Sequence, residues 1–271
     1  MFWNPAIIGA LPGTQIETNL TLMGGWLVYD RKGIDPNTGE PYEASTGTGL
    51  APNLFFATST PLGTTNFRFG YGTYFPTGAM AEFDAEGSQR YDLIEGLLVP
   101  WHHQFTLAWK ASPELTLAVA TIASIGFFKT QLDVDLGKMM RSVLNTQDIP
   151  AEHSALAGRA KIPLTWTPAF GGAVGIHWRP TYKLTVGFGA FTPIHYNYDG
   201  KLKVKTPEIA SLVGAALPAL GIDETISSNI EAKAALPAFL QMGIRYQPMG
   251  YWVQEYFGRY ILSSLERSLS I

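Results

Sequence analysis

The sequence predicts an all-β protein, part of a transmembrane antiparallel β-barrel with helical segments in its external loops. Three observations carry that expectation. Apolar and polar side chains alternate at period two through many segments. The connections between those segments alternate short and long. Charge is scarce, at 15% of the 271 residues against roughly 25% in ordinary soluble domains. Mean hydropathy is only +0.06, as expected for strands that are apolar on one side alone. Strands of a soluble β-sandwich alternate as well, so composition by itself leaves that alternative open.

The alternation runs along the chain in order. Leu20, Leu22, Trp26 and Val28 share one face, opposite Asn19, Thr21, Met23 and Leu27. Phe105, Leu107 and Trp109 oppose Gln104, Thr106, Ala108 and Lys110, and Leu115, Leu117, Val119 and Ile125 oppose Thr116, Ala118, Ala120 and Ser124. Phe170, Val174, Ile176 and Trp178 oppose Gly171, Ala173, Gly175 and His177. Leu184, Val186 and Phe188 follow, and Leu240, Met242, Ile244 and Tyr246 complete the series. Successive strand side chains point to opposite faces, so each ribbon has one oily and one wet side. The oily faces end in Trp26, Trp109, Trp178 and Tyr246, as the interfacial girdles of barrels do.

Short turns are expected at Thr60–Asn66, Ala111–Glu114, Pro180–Tyr182 and Pro248–Gly250. Long loops are expected at Asp30–Leu50, Pro76–Asp92, Asp133–Leu164 and Asp199–Ile230. Barrels of the bacterial outer membrane sort their connections this way, with the long loops outside. Two of these loops read as partly helical. Leu136, Met139, Met140, Val143 and Leu144 fall near helical spacing. Pro207 opens a second stretch whose stripe includes Leu212, Val213 and Leu217. Such apolar faces either pack on each other or line an oily groove.

Several classes are excluded or disfavoured. A net charge of −3 without a basic block argues against nucleic acid, and the lack of cysteine removes disulfides and thiolate metal sites. The longest apolar run, Leu115–Phe128, is too short for a spanning helix. Met1 leads directly into Phe2 and Trp3 without a secretory signal, which for an outer-membrane protein reads as an incomplete N-terminus. His102 and His103 are neighbours on a strand and point apart. His153, His177 and His195 are scattered, and no Ser/His/Asp grouping has supporting context. Asp133 and Asp135 lack the spacing of a calcium loop and read as solvated. No enzyme, metal or cofactor is expected.

In this order the segments resemble the FadL/TodX family of outer-membrane transporters for long-chain fatty acids and aromatic hydrocarbons. Asn4-Pro5-Ala6 resembles the motif of the family's N-terminal hatch, and Ala51–Phe56 its second strand. Thr73–Phe83 resembles the end of its third strand and the following loop, and Leu236-Pro237-Ala238-Phe239 the segment that leads into its eighth. Collinear order carries the resemblance. It implies that residues 1–14 are a hatch remnant, 15–262 barrel strands and loops, and 263–271 a truncated end. Eight strands, with Tyr251–Tyr260 as a ninth, would then stand for an expected fourteen.

The resemblance further implies passive diffusion of a hydrophobic cargo from a loop groove to a lumenal pocket. From there the cargo leaves sideways through a kinked third strand. The groove would be lined by the helical loop residues above. Gly70, Gly72, Pro76 and Gly78 are candidates for breaking the ladder of that strand, although Pro76 also reads as a loop start. Where relatives carry an inward Arg, this chain reads Gly126-Phe127-Phe128-Lys129. Phe128 and Lys129 are therefore the local candidates for meeting cargo, and neutral aromatic molecules stand beside fatty acids. Expected partners are the cargo, membrane lipid and lipopolysaccharide, with a monomer at full length. Two other functions compete. A general porin for hydrophilic solutes requires a charged, open lumen, and a soluble β-rich lipid-binding module requires folding without detergent.

Overall fold

Period-two alternation is realised as long antiparallel strands in the computed structural model. It describes residues 3–63, 66–144, 151–205, 225–249 and 252–262. A 3-10 helix (Pro5–Ala10) precedes β1 (Gln15–Tyr29), β2 (Ser45–Pro61), β3 (Phe67–Tyr74), β4 (Ala79–Glu82), β5 (Glu95–Lys110) and β6 (Leu115–Asp135). Helix α1 (Leu136–Leu144) follows, then β7 (Ala157–Thr181), β8 (Leu184–Phe191), β9 (Ile194–Lys205), β10 (Thr225–Leu236), β11 (Ala238–Met249) and β12 (Trp252–Leu262). All pairings are antiparallel, in the order β1-β2-β3-β5-β6-β7-β8-β11-β12, with β4, β9 and β10 off this path.

Among the described residues twelve strands make nine passes, because three passes are each broken in two. β3 and β4 lie end to end along β5, β8 and β9 along β7, and β10 and β11 pair with β9 and β8. The last break has a simple cause. Ile194 pairs with Leu236 and Phe191 with Phe239, so Pro193 falls opposite Pro237 and neither can donate to the ladder. Among the described residues β1 pairs only with β2, and its side chains are exposed on both faces.

The strands run further than the sequence suggests. β2 begins at Ser45, β6 continues to Asp135, β7 begins at Ala157, and β9 and β10 reach Lys205 and Thr225. The stretch from Pro76 is no simple loop either, since Ala79–Glu82 returns to pair with β5. Polar side chains in these extensions pair with each other instead of ending the strand.

Inner and outer faces separate cleanly in the middle of the sheet. His102, Gln104, Thr106 and Ala108 of β5 are buried, as are Thr116, Ala118, Ala120, Ile122 and Ser124 of β6. The intervening Phe105, Leu107, Trp109 and Val119 stay exposed, as lipid-facing side chains must. Trp109, Trp178 and Tyr246 all sit at the short-turn end of their strands, with Phe67 stacked on Trp109 at 6.4 Å. Trp26 lies at the opposite, long-loop end of β1.

Candidate functional site

The N-terminal segment rests on the inner face. Asn4 caps the 3-10 helix by accepting from the Ala6 amide at 2.9 Å, and its own amide donates to the Ile176 carbonyl at 2.8 Å. Ala6 and Ile8 are buried against Ala108 and Ala118, whose small side chains leave room for the helix. Gly175 does the same on β7, where a Cβ would stand 2.8 Å from Pro5 Cγ and 2.9 Å from the Ala6 nitrogen. Arg68, also buried, donates to the carbonyls of Leu11 and Gly13 at 2.8 and 2.5 Å and so ties down the end of the segment.

A second obstruction comes from β9. β7 pairs with β8 from Ala173 onward and with β9 only at Arg159–Lys161, so residues 162–172 of β7 are without ladder pairs on that side. β9 bows inward over the gap. The Tyr196 hydroxyl reaches Ser124 Oγ of β6 at 2.7 Å and His102 Nε2 of β5 at 3.4 Å, across the inner face of β7. Tyr196 and Tyr198 are buried, and a Cβ on Gly126 would stand 2.5 Å from Tyr196 Cδ1. Phe128 packs on Tyr198, with ring centroids 5.4 Å apart.

Between the N-terminal segment and this ribbon lies an apolar cavity of about 250 Å³. Its walls are Trp3, Tyr74, Pro76, Thr77, His102, Ile122, Phe191, Thr192, Ile194, Leu236, Pro237, Phe239 and Gln241. None is Lys, Arg, Asp or Glu. Pro76 and Thr77 also border a break in the sheet. β2 pairs with β3 up to Phe56–Thr73 and with β4 at Thr48–Glu82 alone, so residues 49–55 of β2 have no ladder partner there. The break therefore coincides with Pro76 and Gly78. Gly70 and Gly72, by contrast, are paired on both sides, with Ser59 and Thr106 and with Ala57 and Gln104, and break nothing.

The remaining sequence candidates are dispersed. Leu136, Met139, Met140, Val143 and Leu144 do form α1, capped by Asp135 accepting from the Lys138 amide at 2.9 Å. Leu136 is buried, so it offers no surface to a groove, and Met140 is half-buried. The Met139, Val143 and Leu144 side chains lie outside the described ones, and Leu212, Val213 and Leu217 outside the described residues altogether. Lys129 is ion-paired with Glu95.

Sequence reasoning missed the polar cap at the long-loop end. Asp133, expected to be solvated, is buried and accepts from Arg159 Nε at 2.5 Å. Glu152 joins three loops. Arg31 grips its carboxylate at 2.6 and 2.8 Å, Tyr42 donates to it at 2.9 Å, and its carbonyl accepts from Asn37 and Arg90 at 3.2 and 3.1 Å. The cap borders a polar cavity of about 610 Å³ that suits no oily ligand. Burial alone would push the Glu152 carboxyl up. The hydrogen bonds from Arg31 and Tyr42, with the charges of Arg31 and Arg90, outweigh burial and hold it below its ordinary value of 4.5.

A depressed carboxylate stabilises above its unfolded value and loses that contribution as pH falls through the folded one. The cap is therefore expected to stay closed from neutral pH down to about 4.5 and to loosen below it. Glu152→Gln should loosen it at neutral pH as well. The anisotropy of a fluorophore on residue 38 reads both outcomes.

Lipid-facing aromatics, an inner face covered by the 3-10 helix and β9, and an uncharged cavity beside a sheet break define an outer-membrane β-barrel with a hydrophobic interior site. The chain belongs to the outer membrane protein transport protein (OMPP1/FadL/TodX) family, whose profile matches residues 1–262. That is a family of transport proteins, not enzymes, located in the bacterial outer membrane.

Solved structures share the fold at low identity. A Pseudomonas aeruginosa FadL homologue matches with a TM-score of 0.67 and 17% identity over 91% of this chain and 60% of its own. The Ralstonia pickettii toluene transporter TbuX matches with 0.60 and 14% over 91% and 62%. The Pseudomonas putida toluene transporter TodX matches with 0.60 and 13% over 92% and 62%. The chain thus spans about 60% of the length of these structures. No curated protein matches the sequence.

Proposed function

We propose that this chain forms the cargo-carrying part of a passive transporter for neutral hydrophobic small molecules, of the size and character of aromatic hydrocarbons. The observation that carries the reading is the uncharged cavity lying against the break between β2 and the β3–β4 pass. Cargo leaves water for the cavity, gaining roughly 0.8 kcal/mol per buried CH₂ or its equivalent. It then passes Pro76, Thr77 and Gly78 sideways into the bilayer. Residues 3–14 act as the hatch, and α1 borders the outer groove. A barrel works as a monomer, with lipopolysaccharide around its external rim and membrane lipid receiving the cargo.

Neutral cargo is favoured over long-chain fatty acids. A carboxylate carried into this cavity would meet no cation among the described residues of its walls, and an isolated buried charge is costly. Lys129, the nearest candidate in the sequence, is engaged by Glu95. A hydrophilic porin is disfavoured because the 3-10 helix and β9 cover much of the inner face that such a pore would leave open. Uptake of labelled toluene and labelled oleate by cells with and without the gene tests the reading. Toluene uptake should rise with the gene and oleate uptake should not. Unchanged toluene uptake would discard the proposal.

A further inference from the structure

One polar group in the cavity has no use in carrying hydrocarbon. Gln241 is 3% exposed and lines the cavity, and neither its Nε2 nor its Oε1 has a hydrogen-bond partner. A buried amide without partners is destabilising, and native structures keep few of them. Its neighbours on the outer face of β11 need no such group, since Met242 is exposed in the lipid-facing direction. Three other polar side chains on the walls are already engaged, and Thr77 is exposed. The Tyr74 hydroxyl donates to Gln104 at 2.6 Å, Thr192 Oγ1 accepts from the Gly172 amide at 2.9 Å, and His102 faces the Tyr196 hydroxyl.

We infer that Gln241 is a specificity residue for cargo bearing a hydroxyl, so that the cavity selects phenols or similar neutral hydroxylated aromatics over the parent hydrocarbons. The inference rests on the transport reading of the same cavity and narrows its substrate class. A hydroxyl is both donor and acceptor. Its O–H can donate to Oε1 while its oxygen accepts from Nε2, which satisfies both orphaned atoms with one small group. A hydrocarbon satisfies neither. A carboxylate can only accept, leaves Oε1 facing negative charge, and finds no cation on the walls. At about 250 Å³ the cavity lies below the usual range for drug-sized ligands, which suits a one-ring molecule.

Equilibrium binding of p-cresol, toluene and benzoate to the detergent-solubilised protein at neutral pH tests this, measured by calorimetry on wild type, Gln241→Leu and Gln241→Met. In the wild type p-cresol should bind about 10-fold tighter than toluene, and benzoate about 10-fold weaker than p-cresol. Both variants should bind toluene at least as well as wild type and lose the preference for p-cresol. Two variants guard against one that fails to fold, with heat-modifiable gel mobility as the check. Equal binding of p-cresol and toluene in the wild type, or a preference kept by both variants, would overturn the inference while leaving the transport reading intact. Benzoate binding as tightly as p-cresol would overturn the inference and the preference for neutral cargo with it. If all three compounds fail to bind, both are lost.

Discussion

Gly175→Val should unseat the N-terminal segment and uncover the inner face of the sheet, so that ions leak past it. The added side chain begins at a point 2.8 Å from Pro5 Cγ and 2.9 Å from the Ala6 nitrogen. Asn4 Oδ1 lies nearer still, but it is the cap of the helix, and behind it the Pro5 ring and the Ala6 backbone cannot move aside as a side-chain end would. The 3-10 helix has little room to retreat, since Ala6 and Ile8 are already pressed on Ala108 and Ala118. Overpacking of this kind costs about 1–3 kcal/mol. The seat relies on few contacts: the Asn4 bonds, the Arg68 tether and this small cluster. A loss of that size is comparable to what holds the segment, so its release is expected. The measurements are single-channel conductance in planar bilayers and sensitivity of cells to large hydrophilic antibiotics, both of which should rise. Gly175→Ala should give the same effect more weakly. Unchanged conductance in Gly175→Val would show that β7 yields and the segment stays.

How far the sequence shows this architecture depends on which interaction sets each part. The faces of β5 and β6 were legible because lipid on one side and packed lumen on the other impose period two, and Phe105, Leu107 and Trp109 record it directly. Helix α1 was legible from its apolar spacing, and the short turns from their place between ribbons. The inward bow of β9 was not. Tyr196 and Tyr198 alternate with His195 and Asn197 like any strand residues, and only their contacts with Ser124 and Gly126, some seventy positions earlier, show that they turn into the lumen. The facing prolines 193 and 237 were both visible, but their opposition depends on strand register, which pattern alone does not fix.

The polar cap was misread for a related reason. Asp133 and Glu152 stand among loop-like neighbours, and burial came from the partners that three distant loops bring to them. Gln241 alternates with Leu240 and Met242 as any inward residue of β11 would. Its lack of partners is a property of the folded cavity and has no signature in the local sequence.

Thr77→Trp should block transport without disturbing the barrel. Thr77 is one of two residues, with Pro76, that both line the cavity and lie in the interrupted stretch between β3 and β4. An indole there is several times bulkier than a threonine side chain and projects where the cavity meets the β3–β4 break. No strand pairing is lost, because 75–78 form no ladder with β2 or β5. Folding should therefore be retained, as read by heat-modifiable mobility, and conductance should stay low because the 3-10 helix is untouched. Toluene uptake should fall about ten-fold or more, the factor corresponding to roughly 1.4 kcal/mol of lost access. Pro76→Ala offers the contrast. The break spans residues 49–55 of β2 and does not hang on one missing donor, so restoring an N–H at position 76 should leave uptake within about a factor of two. If Thr77→Trp transports as well as wild type, the cargo leaves by another route, and the gap between β7 and β9 at residues 162–172 becomes the passage to test.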